Sequence, residues 1–565
     1  MKKATYAFSI LLIIICTVAA YANTLVHKEI DESLKAKIDK IFAEWDNPET
    51  PGCALAVIQD GEIVYKRGYG IANLDYNIPI TSKTEFDIGS TSKQFTAACI
   101  ALLIAEGKLS LDDDIRTYIP ELPEYESSIT VRHLLHHTSG VRDYLTLMGL
   151  SGMEAHNVYS DQDIVDLLAH QKNLNFAPGK EYLYSNSGYI LLAVIVKRVS
   201  GMSMGEYANK HIFEPLGMTN TFVYEDRTRI IKNRAIGYSK DDKGVFHVDH
   251  FFNFDLAGDG QIYTTVEDLL LWDRNFYDLK VGGKNFISLM LTQGSLNSGK
   301  TLDYALGLMH GKYKGLKTVH HGGAWGGFRA QMIRISDHKF SVVVLSNLGS
   351  ISPTKLAHKV IDLLLADHIQ PDKEKKEAEK SQEKPATIDP AVYDAYVGKY
   401  QLEMGLLITI TKEDNRLWAK VAGQQKIELF PISEATFDIK VVDAQVSFHK
   451  DDKGKVTKIV LHQGGQDMPG KKIEAPPLTQ EQLAEYAGNY YSDELLVTYK
   501  LVMEEDKLFA YVRKQPRIEI EITEKDKFSG AMFRATIERA EDGEVIGFSL
   551  DAGRVKNLKF KKIEK

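Results

Sequence analysis

Apolar positions change their spacing twice along this chain. Cys53–Ile58 is a near-continuous apolar run, and Ile63–Tyr69 follows it across a turn signal at Gly61, which predicts a hairpin. Gln94–Ile104 has the pattern of a long apolar helix and is preceded by the strand-like stretch Thr84–Ile88. A second apolar helix, Ile190–Val196, is expected after the turn at Pro178-Gly179. Strand patterns return at Phe328–Ile335 and Phe340–Leu345. Past the alternating charges of Pro371–Pro385 the pattern becomes one of short alternating strands.

That last region repeats. Tyr396-Val-Gly-Lys-Tyr400 recurs as Tyr486-Ala-Gly-Asn-Tyr490, and Asn415-Arg-Leu-Trp-Ala419 as Asp506-Lys-Leu-Phe-Ala510. Lys471-Lys472 and Lys561-Lys562 close the two copies, with Ala475-Pro-Pro477 between them. The offset is about ninety residues, one small domain. Each copy reads as an antiparallel barrel, since closure removes exposed edges. Trp418 and Phe509, at equivalent strand positions, are expected in the barrel cores.

The chemistry concentrates before the charge run. Ser90 and Lys93 lie three apart where the strand pattern gives way to the helix, so both fall on one helix face beside a positive dipole end. A buried amine can lose its proton near neutral pH and activate a hydroxyl. The same spacing occurs at Ser336/Lys339, Ser352/Lys355, Ser381/Lys384 and Ser447/Lys450, but none of those opens a long apolar helix after a strand. The plainer alternative is a helix-capping serine with a solvated lysine. Tyr184 and Asn186, two apart, point to one side of an extended segment. His321-Gly-Gly323-Ala324 leads into the later strand pair, and its glycines permit close approach of a ligand.

Ser90-Thr-Ser-Lys93, Tyr184-Ser-Asn186 and His321-Gly-Gly323, in that order, resemble the motifs of the penicillin-recognising serine hydrolases. The resemblance is to their class C β-lactamase-like group, with its D,D-carboxypeptidases, D-aminopeptidases and esterases. Leu134–Gly140, Phe213–Met218 and Ala257–Tyr263 also look like that family, and the resemblance runs from about Ile38 to about Asp367. It implies an α+β domain with an antiparallel sheet flanked by helices, followed by two small antiparallel β-barrels similar to the lipocalin-like modules of some members. It also implies roles. Ser90 would be acylated and Lys93 would help deprotonate it. Tyr184 would shuttle a proton. Asn186, His321 and Gly323 would line the substrate site, and the N–H groups of Ser90 and Ala324 would form the oxyanion hole. No metal or organic cofactor is implied.

One departure matters. His321 stands where penicillin-specific members usually carry a lysine, and a histidine is mostly neutral at pH 7. That favours esters, amides or peptides that need no carboxylate anchor, D-configured residues included. A β-lactamase or D,D-carboxypeptidase, and a catalytically weak β-lactam- or cell-wall-binding sensor, are the alternatives. His320 is expected to point the other way and to be structural, and His136-His137 to be loop structure.

Met1-Lys-Lys, the apolar run 7–20 and Ala20-Tyr-Ala22 read as a signal peptide. The expected organisation is a signal peptide at 1–22, a hydrolase domain at 23–368, a charged linker at 369–389 and barrels at 390–474 and 478–565. A periplasmic or secreted protein is expected, without a stable membrane span after cleavage (an uncleaved anchor is the less favoured alternative), acting on a small molecule or peptide, cell-wall material included. The net charge of −8, with no basic stripe, excludes nucleic acid as a natural partner. Cys53 and Cys99 read as core residues, a single disulfide between them being the less favoured alternative. The barrels are expected either to form a tethered lid or to bind a separate ligand, and the hydrolase domain to fold without them.

Overall fold

The computed structural model describes residues 30–564, apart from 154–156, 242, 252, 371–388, 403–405, 422–425, 440–443, 464–465, 474–478 and 531–532. The expected signal peptide, almost all of the expected linker and the Ala475-Pro-Pro477 spacer lie outside the described residues.

A six-stranded antiparallel sheet organises the first region. Its order is Met309–Tyr313, Leu316–Trp325, Phe328–Ile335, Phe340–Ser346, Cys53–Gln59 and Glu62–Tyr69. The first hairpin turns at Asp60 and Gly61, whose φ values of 53° and 79° are the left-handed pair of a tight two-residue loop. Its first strand then pairs with the last, Cys53 opposite Ser346 and Gln59 opposite Phe340. Cys53–Ile58 does not alternate with polar residues because both of its faces are covered. Ala54, Ala56 and Ile58 enter one core, while Cys53, Leu55 and Val57 enter another beneath the helices Glu32–Phe42 and Pro353–Leu364. Cys53 and Cys99 are free, buried thiols in these separate cores.

The helix Lys93–Ala105 is apolar on nearly every side because it runs through the larger core, packed on the helix Asn186–Ser200. Ser90 does not belong to it. Ser90 lies one step earlier, in the 3₁₀ turn Gly89–Ser92, and the α-helix starts at Lys93.

Two closed eight-stranded antiparallel barrels follow, spanning Gly398–Ile473 and Gly488–Ile563. Each is a meander whose first strand pairs with its last, Lys399 opposite Ile473 and Asn489 opposite Ile563. Their interiors are filled by side chains such as Tyr400, Leu417 and Phe448 in one and Tyr490, Leu508 and Phe548 in the other. By register Trp418 and Phe509 face away from the barrel interiors, and the expected burial holds for Phe509 but not for Trp418. Leu417 and Ala419 point inward, as do Leu508 and Ala510, so the residues between them face the opposite side. Trp418 is half-buried with the Lys426 ammonium 4.9 Å from its ring centroid, and Phe509 lies under Arg517 at 4.3 Å.

The second barrel is docked on the hydrolase domain rather than tethered near it. Arg142 and Glu494, with side chains 0% and 3% exposed, form an ion pair of 2.7 Å across the interface. Arg142 Nη2 also donates to the carbonyls of Lys556 and Asn557, Gln171 Nε2 to the carbonyl of Glu494, and Tyr499 to the carbonyl of Leu150. One continuous apolar core runs from the hydrolase domain into this barrel. The first barrel reaches the second through Lys399–Glu521 and the Ser529–Gln401 hydrogen bond.

Candidate active site

Gly89 places the nucleophile candidate. Its φ is +48°, and a side chain there would stand 2.7 Å from the backbone nitrogen of Ala324, so only glycine lets the turn meet the edge of strand Leu316–Trp325. Asp87 fixes the turn by accepting the Gly89 N–H at 2.8 Å. The Thr91 hydroxyl is 3.4 Å from the carbonyl of His321, holding turn and strand together. Ser90 is half-buried, and Ala324 beside it is exposed at the mouth of the site.

Lys93 is completely buried. Its Nζ is 3.1 Å from Ser90 Oγ, 2.9 Å from Asn186 Oδ1 and 2.6 Å from the carbonyl of Asp259. Burial lowers its pKa to about 8. The Asp259 carboxylate opposes that shift, the Arg554 guanidinium adds to it, and Asp143 opposes it. Two of the three contacts are to oxygens that only accept. A neutral Lys93 amine therefore spends both N–H groups on Asn186 and Asp259 and turns its lone pair to the Ser90 hydroxyl.

Tyr184 enters from the loop before the helix Asn186–Ser200, with Lys93 Nζ 5.0 Å from its ring centroid. Its buried hydroxyl makes no well-formed hydrogen bond with the described residues, while the Ser90 hydroxyl lies near enough to interact with it. Burial raises the phenol's pKa, so Tyr184 holds its proton at neutral pH. Asn186 is fixed by its N–H, which donates to Asp143 at 2.8 Å, and by the Lys93 contact to its Oδ1.

His321 faces this cluster, and His320 lies on the opposite side of the strand, as the alternation requires. His321 Nδ1 is 2.7 Å from the carbonyl of Gly322 and Nε2 is 3.1 Å from the Tyr304 hydroxyl. The carbonyl can only accept, so Nδ1 carries the proton and Nε2 accepts from Tyr304. Burial pulls the ring's pKa down to about 3, so the imidazole is neutral. The expected direct substrate contact by His321 is thereby narrowed. Both nitrogens are occupied, and the ring shapes the site by holding Tyr304.

Four residues of the site were not picked out by their sequence pattern. His137, expected to be loop structure, accepts the Ser185 N–H through Nδ1 at 3.1 Å and packs against the Tyr184 ring, tilted by 33° with centroids 4.2 Å apart. It adopts φ +56° to do so. Asp259 lies within a connector whose family likeness was visible, but nothing there marks it as the partner of Lys93. Tyr304 lies in a stretch with no motif. Arg554, from the second barrel, has its guanidinium 4.9 Å from the Tyr184 ring centroid and 3.5 Å from Asp143. Its one available signal is that the repeat breaks there.

A serine and a buried lysine at hydrogen-bond distance, closed off by a tyrosine, an asparagine and a sheet edge, on an α+β scaffold, define a β-lactamase-type serine hydrolase. The Beta-lactamase family matches residues 38–366, and the Domain of unknown function (DUF3471) matches residues 382–474. The chain belongs to the Beta-lactamase family. It is 33% identical over 434 residues to penicillin-binding protein 4* of Bacillus subtilis (strain 168), covering 74% of this chain and 94% of that one. It is 26% identical over 448 residues to a D-aminopeptidase of Gluconobacter oxydans (strain 621H), covering 79% and 80%. Among solved structures it is similar to the octameric penicillin-binding protein homologue from Pyrococcus abyssi, at 26% identity and a TM-score of 0.55, covering 78% of this chain and 99% of that one.

Proposed function

We propose that the protein hydrolyses a peptide, amide or ester bond through an acyl-enzyme on Ser90, with D-configured peptides among its substrates. The observation that carries this is the Lys93 amine 3.1 Å from Ser90 Oγ, with its two N–H groups directed at Asn186 and Asp259. In this reading Lys93 takes the Ser90 proton as Oγ attacks the carbonyl carbon. Tyr184, kept protonated by burial, delivers a proton to the leaving nitrogen or oxygen and is recharged through Lys93. The N–H groups of Ser90 and Ala324 hold the oxyanion. Asn186 holds the acyl-side amide, and Gly323, where a side chain would stand 1.8 Å from the carbonyl oxygen of Ile88, lets the strand close on the Ser90 turn. Water then attacks the ester, with Tyr184 and Lys93 taking its proton. The names of the relatives, a penicillin-binding protein and D-aminopeptidases, favour the D-peptide class.

The decisive experiment combines fluorophosphonate labelling, located by peptide mass spectrometry, with turnover. Ser90→Ala is expected to abolish labelling and to lower kcat by roughly four or more orders of magnitude. Labelling that persists on another serine would overturn the assignment. The amino-terminal pattern supports export to the periplasm or medium, which fractionation of the producing cell tests. Among the described residues no single helix is long and apolar enough to cross a membrane.

A further inference from the structure

We propose that Arg554 is a specificity-determining residue: it binds the free carboxylate of an amino-acid leaving group, so that the enzyme releases carboxy-terminal residues. This rests on the acyl-enzyme reading above and adds the chemistry of the group that departs.

The tip of the last hairpin of the second barrel carries Arg554 between the strands Val545–Ala552 and Val555–Ile563. The main chain there is clamped to the hydrolase domain. The Arg554 carbonyl accepts from Asn175 Nδ2 at 2.9 Å and from the Asp143 N–H at 3.4 Å, and Asn175 Oδ1 accepts the Lys556 N–H at 2.7 Å. The side chain is therefore delivered into the site by backbone contacts that do not depend on it. It remains 38% exposed, so one face of the guanidinium is open. Its ion pair with Asp143 is long, at 3.5 Å, and that carboxylate already accepts from the N–H groups of Asn186 and Thr146. A guanidinium has five N–H donors in a planar fork suited to a carboxylate, and Asp143 engages its Nη1 end.

The other charges sharpen the assignment. His321, on the facing strand, is neutral and has both nitrogens engaged. Lys93 is completely buried and faces Ser90 from within. Among the described residues Arg554 is thus a partly exposed cation lying over the ring of the proton donor. Its place over the Tyr184 ring selects the side of the substrate. Tyr184 protonates the leaving nitrogen, and in a carboxy-terminal residue that nitrogen and the carboxylate share one carbon. The balance is that of ordinary acyl transfer. The Ser90 Oγ–carbon bond forms and the carbon–nitrogen bond breaks. The nitrogen gains the proton from Tyr184 and leaves as a free amino acid, and water later cleaves the ester.

The test uses the full-length protein and two probes, N-acetyl-D-alanyl-D-alanine and its C-terminal amide. The wild-type protein is expected to prefer the free acid. Arg554→Ala should lose about ten- to a hundredfold in kcat/KM on the acid and less than about threefold on the amide. Arg554→Lys should recover part of the loss. Equal loss on both probes, no loss on either, or a wild-type preference for the amide overturns the proposal. Fluorophosphonate labelling is run in parallel. Labelling of Ser90 in the wild-type protein and in Arg554→Ala shows that an altered preference is not a dead site. A wild-type protein unlabelled at Ser90 overturns the acyl-enzyme reading, and this proposal with it.

Discussion

Both barrels close eight antiparallel strands, and in both a first-strand tyrosine bonds back to the carbonyl four residues earlier, Tyr400 to Tyr396 and Tyr490 to Tyr486, each at 2.8 Å. Two of the positions at which they differ matter here. Counting from the matched tyrosines, Glu494 of the second barrel corresponds to Met404 of the first. Counting from the matched lysine pairs, Arg554 corresponds to Gly464. One of these charges answers the buried Arg142, and the other enters the active site. The duplicated scaffold is common to both barrels. Charges at two turns of the second barrel, together with Tyr499 and the shared apolar core, make that barrel part of the enzyme, and turn residues vary without disturbing a barrel core.

The harshest way to break the comparison is deletion. A chain stopped after Asp367 leaves Arg142 buried without its acid and uncovers the apolar surface around Leu150, so it is expected to be insoluble or to melt without cooperativity. Deleting residues 390–474 while keeping the second barrel should leave a folded protein that fluorophosphonate still labels. Gel filtration and thermal melts of the two constructions decide this, and a soluble, labelled short chain would erase the distinction between the barrels. A single change comes next. Glu494→Ala strands a buried guanidinium, which typically costs about 3–5 kcal/mol, and should lower the denaturation midpoint by a corresponding amount.

Smaller in effect is a shift in pH dependence. Lys93 must be neutral to accept the Ser90 proton, so kcat/KM should rise with pH towards the Lys93 value of about 8. Burial is the main cause of that low value, and the positive charge of Arg554 adds to it. Removing the charge favours protonated Lys93, so the ascending limb of Arg554→Ala should move to higher pH by a fraction of a unit. A pH–rate profile on the amide probe isolates this from carboxylate binding. The smallest effect belongs to the first barrel. Lys399 and Glu521 are 40% and 27% exposed, so Lys399→Ala should cost no more than about 1 kcal/mol and leave the pH profile unchanged.

What the sequence disclosed follows from how local each signal is. The Asp60-Gly61 hairpin, the buried run at Cys53–Ile58 and the pairing of Ser90 with Lys93 are written within a few residues of one another. The barrel repeat was legible because two copies can be laid side by side. His137, Asp259, Tyr304 and Arg554 were not singled out, because each matters only through residues distant in the chain. The inward face of the strand at Trp418 was misjudged because size suggested burial, while register placed the smaller Leu417 and Ala419 inside. Ser90 was read one step too far along, since a 3₁₀ turn and the first turn of a helix have the same residue spacing.

The buried bond between Arg142 and Glu494 also sets a schedule. Its partners are 352 residues apart, and at ordinary rates of synthesis that separation is roughly 20–70 s of translation. Throughout that interval the nascent hydrolase domain holds an arginine prepared for burial and has no acid to meet it. The hairpin that brings Arg554 to Tyr184 comes later still, 60 residues beyond Glu494. The site is therefore completed long after its serine is made, since Arg554 follows Ser90 by 464 residues. Loss of that hairpin would leave every catalytic motif in place and take the Arg554 guanidinium out of the site.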